Sequence, residues 1–167
     1  GSILGQSAKV PIITDAKGQT ISFPPIINAA LTTVTTKTKN LLVEVTGIDK
    51  QSAEDMLSVV VVILQGAGFQ FSQLKVSGSK NSTPNFASRS FVFDTDPVNK
   101  ILGLNVSGSM LVSCLKKCRL GAVMKGKKIQ CTIPRYRFDI FGGMDIVEEV
   151  ALGYGIDNLK PAWPASV

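Results

Sequence analysis

"FVFDTDPVNKILGLNVSGSMLVSCLKKCRLGAVMKGKKIQCTIP" (Phe91 to Pro134) is the stretch whose reading decides the fold. It opens as a strand, then sets an aspartate cap at Asp96 with Pro97 at the first helical position, and Gly103 ends a short helix. Ser107 or Ser109 caps a second helix, apolar at Met110, Leu111, Cys114, Leu115 and Cys118, with Gly121 as its terminator. "AVMKGKKIQCTIP" reads as a hairpin turning at Lys125-Gly126, and a last helix runs from about Asp145 to Tyr154, closing at Gly155. Helix, helix, hairpin, helix is close to a winged-helix arrangement, here assigned to residues 91–162 with a tail at 163–167.

Upstream the rhythm differs. "VPIITDAKGQTISFPPIIN" gives two short strands around the turn Asp15-Ala16-Lys17-Gly18, then an extended Pro24-Pro25 pair. Asn40 to Thr46 reads as another strand. Asp49 or Ser52 caps a helix from about Ala53 to Gln65, stopped by Gly66 and Gly68, and "FQFSQLKVS" alternates as a final strand. Residues 1–78 are thus a mixed α/β segment. Serine, asparagine, glycine and proline then accumulate and periodicity disappears, which marks 79–90 as a linker. The fold class is α+β: a partial mixed α/β segment followed by a winged-helix-like domain.

Bulk composition bounds the rest. The 167 residues are 44% hydrophobic and 18% charged, a globular balance rather than a disordered one. The most apolar run, Met56 to Phe69, is too short to span a membrane and reads as a buried helix. Gly1-Ser2 reads as a cloning-vector remnant, so the natural start is not visible. Cys114, Cys118 and Cys131 leave an odd thiol over if a disulfide forms, which favours a reducing, cytoplasmic setting. Cys114 and Cys118 are spaced to share a metal, but the chain has no histidine, and buried thiols are the simpler reading.

Net charge is +6, and Lys116, Lys117, Arg119, Lys125, Lys127, Lys128, Arg135 and Arg137 form a block without one acid. At a helix end and a wing tip such a block meets phosphates in a nucleic-acid-binding winged helix. The alternative is that the lysines keep an exposed edge soluble and complement a helix C-terminus.

Directly after this block, Asp139, Asp145, Glu148 and Glu149 stand within eleven residues. Asp145, Glu148 and Glu149 share one helix face by their i, i+3, i+4 spacing. One reading makes Asp145 the cap and Glu148 the third-position partner of a capping box, with Arg135 and Arg137 as neutralising neighbours on the preceding strand. The other folds Asp139, at the strand's end, back across the glycine turn to give four oxygen donors around one point. In that case the acids repel one another in the free chain, and removing one charge is neutral or mildly stabilising.

"IPRYRFDIFGGMDIVEEVALGYGIDNLKP" (Ile133 to Pro161) resembles the end of the winged-helix-like domain in the beta subunit of phenylalanyl-tRNA synthetases. "ISFPPIIN" (Ile21 to Asn28) and "VEVTGID" (Val43 to Asp49) look like the C-terminal part of the archaeal and eukaryotic type of editing domain that precedes it. Leu152 replaces the arginine common in bacterial members and Ile156 the second aromatic of Tyr-Gly-Tyr, which points to the archaeal or eukaryotic branch. Glu44 stands where that branch often has aspartate.

The resemblance implies a piece of a longer subunit, in an enzyme that joins phenylalanine to its tRNA at the expense of ATP. Its partners would be an alpha subunit, in an alpha2beta2 heterotetramer, and the tRNA for phenylalanine. Carboxylates matching Asp139, Asp145, Glu148 and Glu149 are assigned in the family to magnesium shared with the alpha subunit. Residues matching an editing-pocket wall are Ile13, Ser22, Glu44 and Thr46, of which Glu44 and Thr46 alternate onto one face and could bind a phenolic hydroxyl. The piece itself would be architectural and inactive alone, since no nucleophile-base pair is visible. The competing reading makes the basic block a module for tRNA or DNA in its own right.

Overall fold

The computed structural model describes Gly5 and residues 9–161, so Gly1-Ser2 and the 163–167 tail lie outside the described residues. Packing divides the chain into two units between Ala53 and Glu54.

In the first unit, β1 (Ile13–Thr14), β2 (Thr20–Phe23) and β3 (Ile27–Asn28) form an antiparallel sheet in that order. The β1–β2 turn is built by Asp15, whose carboxylate accepts the amides of Lys17 at 2.8 Å and Gln19 at 2.9 Å, with Gly18 at φ 79°. Pro24-Pro25 is not an extended run but the tight β2–β3 connection, closed by Ile26 N–H donating to Phe23 O at 2.7 Å. Two residues without amide hydrogens fit a turn that asks nothing of either. Residues 40–46 are not a ladder strand, because among the described residues no strand pairs with them; Leu41 and Leu42 stand exposed.

Helix α1 (Lys50–Gly66) starts at Asp49, whose carboxylate accepts Ser52 N–H at 2.8 Å. Its run of valines is not fully buried: only Ser58 and Val61 are, and Met56 and Ile63 are exposed. The strand expected from "FQFSQLKVS" is reduced to β4 (Leu74–Lys75), paired antiparallel with β5 (Ser82–Thr83). The 79–90 segment is tied down in the second unit: Phe86 meets Phe71 edge-on at 5.1 Å, and Asn85 N–H donates to Glu54 Oε2 at 3.1 Å.

The remainder is β6 (Arg89–Asp94), α2 (Thr95–Leu102), α3 (Gly108–Lys117), β7 (Gly121–Lys125), β8 (Lys128–Ile133) and α4 (Gly143–Tyr154). The winged-helix order expected from the sequence is present. The sheet runs β6-β8-β7, antiparallel, with β8 central. Alternation along β8 buries Ile129, Cys131 and Ile133 against Leu111, Cys114 and Leu115 of α3 and Ile146, Val147 and Val150 of α4.

Helix ends differ from the sequence reading in instructive ways. The N-cap of α2 is Asp94, not Asp96, and Pro97 falls at the third helical position, still within the first turn where no amide partner exists. Ser107 caps α3, accepting Met110 N–H at 3.3 Å. Its terminator is Arg119, in the left-handed region at φ 61°, rather than Gly121, which opens β7. Leu120 N–H reaches Leu115 O at 3.1 Å and Arg119 N–H reaches Lys116 O at 3.0 Å, the paired bonds of a Schellman ending, which bury Leu120 beside Leu115. The wing turns at Gly126-Lys127, one residue later than expected, with Gly126 at φ 60° and Lys125 facing Lys128.

Candidate functional site

The four acids do not converge. β8 ends at Ile133, so Arg135, Arg137 and Asp139 lie on the connection between β8 and α4 rather than along a strand. Arg137 N–H donates to Pro134 O at 3.0 Å, and Arg89 of β6 donates from Nη2 to Arg137 O at 2.9 Å, which fixes this connection against the sheet. The Arg137 guanidinium is thereby held between two carboxylates. Its Nε donates to Asp139 Oδ1 at 3.0 Å and Nη2 to Asp139 Oδ2 at 2.7 Å; Nη1 meets Glu149 Oε2 at 3.2 Å and Nη2 meets Glu149 Oε1 at 2.5 Å. Two edges of one planar group each hold a carboxylate in a fork.

Glu149 is 7% exposed, so the guanidinium is what makes burial of its charge tolerable. Hydrogen bonds donated to Asp139, then to Glu149, push the Arg137 guanidinium further toward its charged form, and the bond it donates holds the Asp139 carboxyl below its ordinary range. Asp145 is occupied elsewhere: its Oδ2 accepts Phe141 N–H at 2.6 Å and Gly142 N–H at 2.8 Å. It is the third residue of α4, so it supplies the backward half of a capping box and is not the cap itself; that place is taken by Gly142. Glu148 lies in the second turn, exposed, and completes no box. Arg135 does not face these acids but meets Asp55 of α1, Nε to Oδ1 at 3.0 Å, with both side chains mostly buried.

Magnesium takes one or two carboxylates in near-octahedral order and keeps water in the rest of its shell, so a site for it here needs carboxylate oxygens that are free to face one point. Among the described residues no group of three or more potential ligand side chains is so arranged. As they stand, Asp139 and Glu149 are taken up by Arg137 and Asp145 by the amides ahead of α4, so the four, Glu148 included, do not gather into a site that fits the ion.

The basic block divides by position. Lys125, Lys127 and Lys128 cluster at the wing tip, with Lys128 3.5 Å from Asp94; Lys116, Lys117 and Arg119 stand exposed at the end of α3. Lys117 Nζ donates to Gly153 O at 3.1 Å near the end of α4. Arg135 and Arg137 are withdrawn from the block by their carboxylates.

In the first unit, Ile13 and Ser22 face each other across β1 and β2 and, with Asn28 and Glu44, line an open cavity of about 660 Å³. Ser22, Glu44 and Thr46 line a shallower depression of about 400 Å³. The four residues singled out from the sequence thus surround adjoining hollows. Thr46 and Glu44 hydrogen-bond to each other, and Ser22 donates to Asn28 Oδ1 at 2.8 Å. Asn28 was not singled out from sequence, and the β2–β3 pairing of Ser22 with Asn28 is what brings it in. The three cysteines are free; burial raises all three thiols, Cys131 to about 11. No described helix is long and apolar enough to cross a membrane.

Comparison with known proteins adds family to fold. Residues 91–156 match the tRNA synthetase B5 domain. The phenylalanine–tRNA ligase beta subunits of Methanocaldococcus jannaschii and Archaeoglobus fulgidus are 40% and 36% identical over 93% and 99% of this chain. The chain spans only 29% and 30% of those relatives' length. A crystal structure of an N-terminal fragment of the phenylalanyl-tRNA synthetase beta subunit from Pyrococcus horikoshii superposes with a TM-score of 0.75 at 26% identity, covering 87% of this chain and 43% of that one. The chain belongs to the archaeal-type phenylalanyl-tRNA synthetase beta-subunit family and represents its N-terminal region with the B5 domain.

Proposed function

We propose that this chain serves a phenylalanine–tRNA ligase as a structural part, with its B5 domain docking the alpha subunit and its first unit contributing a wall of an editing pocket. The observation that carries the docking reading is the apolar surface beside the acid cluster. Phe141 is 83% exposed and Met144 64%, on the turn into α4 and its first turn, while Asp145 and Glu149 beside them are satisfied within the chain. Large apolar groups next to neutralised charge suit a protein partner better than a phosphate backbone. Ligation of phenylalanine and the tRNA itself belong, on this reading, to the assembled enzyme, and this chain alone neither aminoacylates nor deacylates.

Association with an archaeal alpha subunit tests it. Phe141→Asp with Met144→Asp, placed in the full-length beta subunit, is expected to abolish co-elution with alpha while leaving circular dichroism of the present chain unchanged. Unaltered assembly would overturn the docking reading.

The exposed lysines of the wing support a second reading, in which the B5 domain holds nucleic acid. Binding of tRNA or duplex DNA would then fall steeply with salt, and replacing Lys125, Lys127 and Lys128 by alanine would lower the logarithmic slope by up to about three. Weak binding with a flat slope leaves docking alone.

A further inference from the structure

We propose that Arg137 is the resident counter-cation of the acid cluster, so that this chain binds no divalent ion there while the guanidinium is in place. All four oxygens of Asp139 and Glu149 already accept an N–H from Arg137, at 2.5–3.0 Å for the nearest bond to each except Glu149 Oε2 at 3.2 Å. The bond set uses the two edges of the guanidinium best matched to carboxylates, which a spherical ion cannot improve on without expelling it. Expulsion is opposed from three sides. Glu149 is buried, and Arg137 is anchored through its backbone carbonyl by Arg89. The Arg89 charge also favours the ionised form of Asp139, though less than Arg137 does. Magnesium, for its part, surrenders its water reluctantly.

The remaining acids cannot substitute. Asp145 is committed to the amides of Phe141 and Gly142, whose loss would leave the start of α4 unsatisfied. Glu148 alone is a single exposed carboxylate. The inference concerns this chain's own ion balance and stands whether or not the B5 domain docks an alpha subunit.

Manganese relaxation tests it without any variant. In two-dimensional NMR of the 167-residue chain, stoichiometric Mn²⁺ is expected to produce no saturable broadening of the Asp139 and Glu149 amides, and 10 mM Mg²⁺ is expected to leave the melting temperature where matched NaCl leaves it. Saturable broadening centred on those amides, abolished by Glu149→Gln, would overturn the proposal. Arg137→Gln, where it folds, is expected to gain at least tenfold in Mn²⁺ affinity and to be raised in melting temperature by Mg²⁺. A folded Arg137→Gln chain indifferent to both ions would equally overturn it. If that variant does not fold, the parent chain's broadening decides alone.

Discussion

Gly153→Ala sets two effects of opposite sign against each other. Gly153 lies in the last turn of α4, buried where that helix crosses α3, and a Cβ built on it would lie 2.1 Å from Cys114 O and 2.6 Å from Cys114 C. An ordinary contact begins near 3.4 Å, so the methyl would need more than an ångström that backbone, unlike a side-chain tip, cannot give. The helices would have to separate along a seam that includes Leu111, Cys114, Leu115, Ile146 and Val150, all essentially inaccessible to solvent. Overpacking of a tight core costs about 3 kcal/mol at its upper end. Replacing glycine by alanine inside a helix returns about 1 kcal/mol. The expected net loss is about 2 kcal/mol, or about 10 °C in melting temperature for a domain of this size. Thermal unfolding followed at 222 nm, with urea unfolding to check that the slope is unchanged, measures it. A Gly153→Ala chain as stable as the parent, or more stable by the propensity increment, would show that the helices are not held this close and would refute the packing described for α3 and α4.

Arg119→Gly works the other way: an arginine at φ 61° carries a left-handed strain of about 1 kcal/mol that glycine lacks, so chemical unfolding should show a gain of that order if the Schellman ending is retained. Asp139 contributes through its lowered carboxyl, so its contribution is complete above the unfolded value of about 3.9 and is lost as pH falls through the lower folded value. The melting-temperature gap between the parent and Asp139→Asn should therefore be constant above about pH 5 and narrow below about pH 4; a gap that widens in acid would contradict the Arg137 contact.

What the sequence made legible was local. The order of elements from β6 to α4, the Ser107 cap and the Asp15 turn follow from periodicity and from residues that bond within four positions of themselves. The strand expected at 40–46 depends on a partner, and no alternation of side chains supplies one. Composition made 79–90 a linker, yet Phe86 and Asn85 anchor it to residues 15 and 31 positions away. The acid cluster was visible as a count of charges, but which cation each acid meets was not. Arg137 and Arg135 are two residues apart and were equally eligible; the bend after Ile133 sends one to α4 and the other to α1. Mutual repulsion follows only if the four carboxylates face one point; the Arg137 forks favour the other reading, in which an arginine neutralises them, but with Arg137 alone in that role.

That neutralisation changes what the acids do for the fold. The connection 134–140 has no regular structure, and an irregular connection of that kind is ordinarily among the first parts of a domain to open. Here it is pinned at three points by charge: Arg135 on Asp55, Arg137 on Glu149, and Arg89 on the Arg137 carbonyl. Two of these join the connection to helices on either side, so α1, the sheet and α4 are tied through it. Glu149 is the tie whose loss is felt most, because a largely enclosed guanidinium left with only the exposed Asp139 has forfeited its buried partner, whereas loss of Asp139 leaves the Arg137–Glu149 pair intact. Glu149→Gln keeps a hydrogen-bond acceptor but not the charge, and belongs with the destabilising substitutions rather than the neutral ones. Asp139, half in solvent, sets how far the clasp is neutralised; Glu149 sets whether it closes.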